Sequence, residues 1–97
     1  MSKIILIDFC LKFLFDNKNS ILKFQTEKEL LITIGKNVKT IRKKANLTQA
    51  QLCDIAGISL SYLTKIEAPG IYKSVSLSIL NQIANALNVE ITEFFKE

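Results

Sequence analysis

In 97 residues this chain carries no histidine and only two cysteines, Cys10 and Cys53. That excludes a metal-ligand spacing, a Cys–His pair and a Ser–His–Asp triad, while 48% hydrophobic residues mark a globular rather than a disordered chain. The net charge of +4 is unevenly spread: residues 33–75 hold Lys36, Lys39, Arg42, Lys43, Lys44, Lys65 and Lys73 against Asp54 and Glu67, whereas the part from Ser76 onward is net acidic.

A local excess of positive charge suits a polyanion, although a solvated lysine-rich surface has the same composition. No nucleophile has a base beside it and no phosphate-binding glycine loop is visible, so neither an enzyme nor a cofactor is expected. Cys53 falls between Leu52 and Ile55 in a helical pattern and reads as a small core residue. Two isolated cysteines are no secreted framework, which leaves a reducing cytoplasm as the expected location.

Residues 1–29 form an apolar extension. Ile4 to Phe15 is a strongly apolar run of twelve residues broken by Asp8 and Lys12. It is too short for a bilayer, which needs about 20 apolar residues, so no membrane span is expected. No small-x-small cleavage site follows it, which argues against a signal peptide. Asp8, Lys12 and Asp16 recur every four residues, as on one stripe of a helix. Yet the Ile and Phe content favours strands, and Asp16-Asn17-Lys18-Asn19-Ser20 reads as a turn. A helix and a short hairpin are both open here. An apolar run of this kind suits dimerisation or a protein partner.

Residues 30–97 read as one all-helical domain. From Glu29 onward Leu30, Leu31, Ile34, Val38, Ile41 and Ala45 share a face, with Lys36, Lys39, Lys43 and Lys44 mostly opposite. Asn46 tolerates the left-handed backbone that ends a helix. Thr48 caps a short helix, Gln49 to Ala56, that Gly57 stops. Ser59 caps the next, running to about Glu67 before Pro69-Gly70 forces a loop. Ser76 opens a helix with Leu77, Leu80, Ile83, Ala84 and Leu87 inward, and Asn88 ends it. A last short turn from Thr92 carries Phe94 and Phe95.

The chemistry concentrates in Thr48 to Glu67, TQAQLCDIAGISLSYLTKIE. Two short helices meet at Ala56-Gly57-Ile58, Ile58 plugs the corner, and Leu52, Ile55, Leu63 and Ile66 are expected to meet between them. Such a pair lays its second helix across a major groove while the first crosses the backbone. At about 100° per residue from Leu60, Leu63 and Ile66 lie near 300° and 240°, the buried side. Ser61, Thr64 and Lys65 lie near 100°, 40° and 140°, opposite it, with Leu60 at the edge. Hydroxyls donate to and accept from base edges, an ammonium reaches guanine or phosphate, and a leucine can touch a thymine methyl.

Residues 34–67, IGKNVKTIRKKANLTQAQLCDIAGISLSYLTKIE, and 75–95, VSLSILNQIANALNVEITEFF, resemble the lambda-repressor-like, Cro/C1-type or XRE helix-turn-helix family. The resemblance implies an all-α, five-helix domain that binds palindromic double-stranded DNA as a homodimer and regulates transcription. It places Leu60, Ser61, Thr64 and Lys65 at base edges and Thr48, Gln49, Tyr62, Lys43, Lys44 and Lys73 near phosphates. For Gln49 there is a physical reason, since a helix N-terminus favours an anion. It makes Arg42 and Glu67 a structural pair that orients the reading helix. Leu60 stands where a polar reader is common and Asn46 where glycine is usual, and Ala68-Pro69-Gly70 alters the loop before Lys73. Related roles are an antitoxin, a restriction–modification controller, or a protein-interaction module on the same fold.

Overall fold

Thr26 starts the first helix through a reciprocal cap. Its hydroxyl accepts from the Glu29 backbone N–H at 3.1 Å, and the Glu29 carboxylate accepts from the Thr26 N–H at 2.9 Å. In the computed structural model, which describes residues 26–71 and 73–97, helix α1 then runs Glu27–Lys44. It begins earlier than the Glu29 expected from periodicity, because the Thr-x-x-Glu cap lies ahead of the apolar stripe. Of the extension expected at residues 1–29, residues 26–29 form the cap and start of α1, and the helix-or-hairpin and partner-segment expectations for residues 1–25 lie outside the described residues.

Helix α2 covers Gln49–Ala56, α3 Leu60–Glu67 and α4 Leu77–Leu87, followed by a 3-10 turn at Ile91–Phe95. The architecture is all-α, and among the described residues there is no strand. The fifth helix implied by the resemblance is that 3-10 turn, so four elements among the described residues are α-helices. Each boundary has a local cause. Asn46 and Asn88 take the left-handed conformation at φ 60° and 57°, and the hydroxyls of Thr48, Ser59 and Ser76 cap α2, α3 and α4. Thr48→Ala is expected to cost about 1 kcal/mol, read as a lower urea midpoint at constant slope.

Val38, Leu52, Leu63, Ile83 and Phe94 are fully buried and bring one residue from each element to the centre. The 3-10 turn packs along α1, and α4 packs against α2. Asn37 holds the chain end in place, donating to the backbone carbonyls of Phe94 at 2.8 Å and Lys96 at 2.6 Å. No helix among the described residues is long and apolar enough to cross a membrane.

Three apolar positions depart from the expected core. Ile55 is 59% exposed, because the stripe of α2 is Leu52, Cys53 and Ala56. Those three centre the buried face about 110° from Ile55 on the helical wheel. Leu77 is 69% exposed at the first position of α4, beyond the packed face. Ala45 is exposed because it is the C-cap of α1 rather than part of its stripe.

Candidate nucleic-acid interface

The turn between α2 and α3 is set by Gly57. Its backbone sits at φ 73°, and its N–H donates to the Cys53 carbonyl at 2.8 Å. The Ile58 N–H donates to the same carbonyl at 3.2 Å, closing the corner with the Ile58 side chain half-buried. Cys53 is itself buried, its thiol lying 3.5 Å from the Ser59 carbonyl that accepts from it. Burial first, then Asp54 and Glu67, push the thiol pKa up, so it stays protonated and acts as a packing group.

On α3, Leu63, Ile66 and Glu67 face inward, while Leu60, Ser61 and Lys65 are exposed. Thr64 is half-buried, and its hydroxyl donates to the Ser61 carbonyl at 2.9 Å. That bond occupies the donor of Thr64 and leaves its oxygen as an acceptor. Ser61 and Lys65 have no side-chain partner among the described residues.

Arg42, at the end of α1, and Glu67, at the end of α3, form a buried two-pronged pair. Arg42 Nε donates to Glu67 Oε2 and Nη2 donates to Oε1, both at 2.8 Å. The third arm, Nη1, donates to the Leu47 carbonyl at 2.8 Å in the loop before α2. Hydrogen bonding to Glu67 raises the guanidinium pKa and burial opposes it, so Arg42 stays charged. No buried polar side-chain atom among the described residues lacks a partner.

Gln49 joins this pair, which the spacing of residues did not indicate. Its Nε2 donates to Glu67 Oε1 at 3.0 Å. One carboxylate therefore ties the ends of α1 and α3 to the start of α2. Beside it, Thr48 and Gln51 cap α2 reciprocally, with Gln51 N–H donating to the Thr48 hydroxyl at 3.1 Å and Thr48 N–H to Gln51 Oε1 at 2.8 Å. The first-turn N–H groups of a helix and its dipole form an anion site in general.

Tyr62 and Lys73 are brought together across the loop after α3. The Lys73 ammonium lies 5.0 Å from the Tyr62 ring centroid, and the Tyr62 hydroxyl donates to the Ser74 carbonyl at 3.3 Å. Lys43 and Lys44 are exposed on the last turn of α1, and no side-chain hydrogen bond or ion pair joins them to the other candidate residues.

The geometry is that of two eight-residue helices around a glycine turn, with one exposed polar face on the second. A family model described as helix-turn-helix, HTH_3, matches residues 38–94. The immunity repressor protein of Bacillus phage phi105 is 39% identical over 66 residues, covering 68% of this chain and 44% of the relative. The HTH-type transcriptional regulator SlrR of Bacillus subtilis (strain 168) is 37% identical over 62 residues, covering 64% of this chain and 40% of the relative. The chain thus spans less than half the length of these curated relatives. Among solved structures, the restriction-modification controller protein C.AhdI from Aeromonas hydrophila is 29% identical with a TM-score of 0.62, covering 67% of this chain and 96% of that one. An HTH_3 family transcriptional regulator from Vibrio cholerae is 26% identical with a TM-score of 0.67, covering 72% of this chain and 38% of that one. With its two short helices, glycine corner and matched residues, this chain belongs to the helix-turn-helix family HTH_3.

Proposed function

We propose that this chain is a sequence-specific DNA-binding regulator of transcription, acting in the cytoplasm as a homodimer on a two-fold operator and performing no catalysis. The observation that carries the reading is the exposed face of α3, held in place from behind by the buried Arg42–Glu67 pair. Ser61 and Lys65 read base edges in the major groove, Thr64 contributes an acceptor, and Leu60 packs on a thymine methyl. Thr48 and Gln49 bind phosphate at the start of α2, while Tyr62, Lys73, Lys43 and Lys44 hold the backbone on either side. The similarity to a phage immunity repressor favours repression. A restriction–modification controller is the second reading, favoured by the 96% coverage of C.AhdI. Leu77, exposed beside Ile91, offers an apolar patch for pairing two copies.

The test is fluorescence anisotropy on promoter DNA from the gene's own neighbourhood, titrated over salt against random-sequence competitor. Affinity is expected to fall with a log–log slope of about −0.9 per phosphate contacted. Ser61→Ala and Lys65→Ala are expected to remove about 1–3 kcal/mol of discrimination at individual base pairs. Gln49→Ala weakens specific and random DNA alike. Equal binding of competitor and promoter by the native chain would sink the proposal.

A further inference from the structure

We propose that the groove between α1 and the loop after α3 binds a small aliphatic carboxylate, an apolar chain ended by one negative charge. The groove has a volume of about 370 Å³, within the range of about 300–1,000 Å³ found for pockets that enclose small ligands. Its walls are apolar: Leu31 and Ile32 on α1, Ile66 at the end of α3, and Pro69 and Ile71 in the loop. Gly35 lines it without a side chain. There α1 comes so close to α3 that a Cβ would run into the Ile66 carbonyl oxygen.

Charge selects the occupant. At about 100° per residue from Ile32, Lys36 and Lys39 lie near 40° and 340°, so both ammonium groups share a strip of α1 with that isoleucine. Both lysines are exposed and line the groove, and neither has a side-chain hydrogen bond or ion pair among the described residues. Glu67 also lines the groove, but it is buried and its carboxylate accepts from Arg42 and Gln49. The charge left to meet a ligand is therefore positive. A bare phosphate would answer the lysines and leave Ile32 and Ile71, 47% and 51% exposed, in water. A neutral hydrocarbon would cover the isoleucines and leave the ammonium groups unanswered. An aliphatic carboxylate answers both.

Size separates a small molecule from a protein. Eleven residues line the groove, against about 20–30 on each side of a stable protein interface. The other exposed large apolar side chains among the described residues, Ile55, Leu60 and Leu77, lie outside it, so they do not extend its apolar surface.

The test uses the full chain with labelled isoleucine methyl groups, titrated with octanoate, octanol or acetate. Octanoate is expected to shift the Ile32 and Ile71 methyls saturably, with a Kd on the order of 1 mM for a ligand of about ten heavy atoms. The methyls of Ile55, exposed on α2, should not move. Octanol is expected to bind about tenfold more weakly, as is octanoate to the double variant Lys36→Glu with Lys39→Glu, which reverses two exposed charges and leaves the core intact. Absence of a saturable shift with octanoate overturns the proposal. So does octanol binding as tightly as octanoate, which would make the site one for neutral apolar molecules, or acetate alone reproducing the shifts, which would reduce the lysines to surface charge. Ile32 and Ile71 methyls that shift on dilution without ligand and do not respond to octanoate would assign the groove to a second copy and overturn it too. DNA is absent from these measurements, so this inference stands or falls apart from the proposed function.

Discussion

Glu67→Ala is expected to lower the free energy of unfolding by about 3–5 kcal/mol, because it leaves the Arg42 guanidinium charged and buried without its counter-ion. The same change frees Gln49 Nε2 from its acceptor, so the start of α2 loosens from the end of α3. Arg42 would retain only the Leu47 carbonyl. For a domain of this size each kcal/mol corresponds to about 4–8 °C, so thermal unfolding should move by at least about 12 °C. Urea unfolding followed by far-ultraviolet circular dichroism measures it. A control separates the pair from the site: replacing both partners, Arg42→Met with Glu67→Leu, should restore much of the stability, since a buried ion pair is often neutral against apolar groups of similar volume. If Glu67→Ala unfolds like the native chain, the pair does not brace α1 against α3.

Gly35→Ala is expected to destabilise by about 3 kcal/mol, at the upper end of overpacking costs. A Cβ on Gly35 would collide with the backbone carbonyl oxygen of Ile66 and stand 3.3 Å from its carbon. The obstacle is main chain, so no rotamer change relieves it, and α1 must move away from α3. That movement strains the bond between Glu67, the next residue on α3, and Arg42, two turns further along α1. Chemical denaturation should show the loss directly. A crystal structure of the variant should show the separation of α1 from Ile66 increased by a few tenths of an ångström or more. Wild-type stability in Gly35→Ala would contradict the close approach.

Much of this arrangement was legible in the residues because it is decided locally. Thr48, Ser59 and Ser76 are cap residues, Gly57 ends α2, and Asn46 and Asn88 end helices in the left-handed region. The exposed face of α3 also followed from angle alone, since Leu63 and Ile66 leave only one side for solvent. Ile55 did not follow, because two turns of helix give too few apolar positions to fix the centre of the buried stripe. The hydrogen bond from Gln49 to Glu67 joins residues 18 apart and depends on how α2 crosses α3. The need for glycine at position 35 is likewise set by a partner backbone 31 residues away. The pairing of Tyr62 with Lys73 depends on the course of a loop whose path periodicity does not encode.

The exposed Ser61 and Lys65 are tied to no other described side chain, whereas Arg42 and Gln49 both donate to Glu67. On the proposed reading, the letters this protein recognises are written on a surface that the fold does not use. Exchanging such residues ordinarily changes stability by no more than about 0.5 kcal/mol. A lineage built on this frame can therefore drift to new targets by single substitutions without first becoming unstable, and grafting two or three surface residues of α3 is the economical way to redirect it.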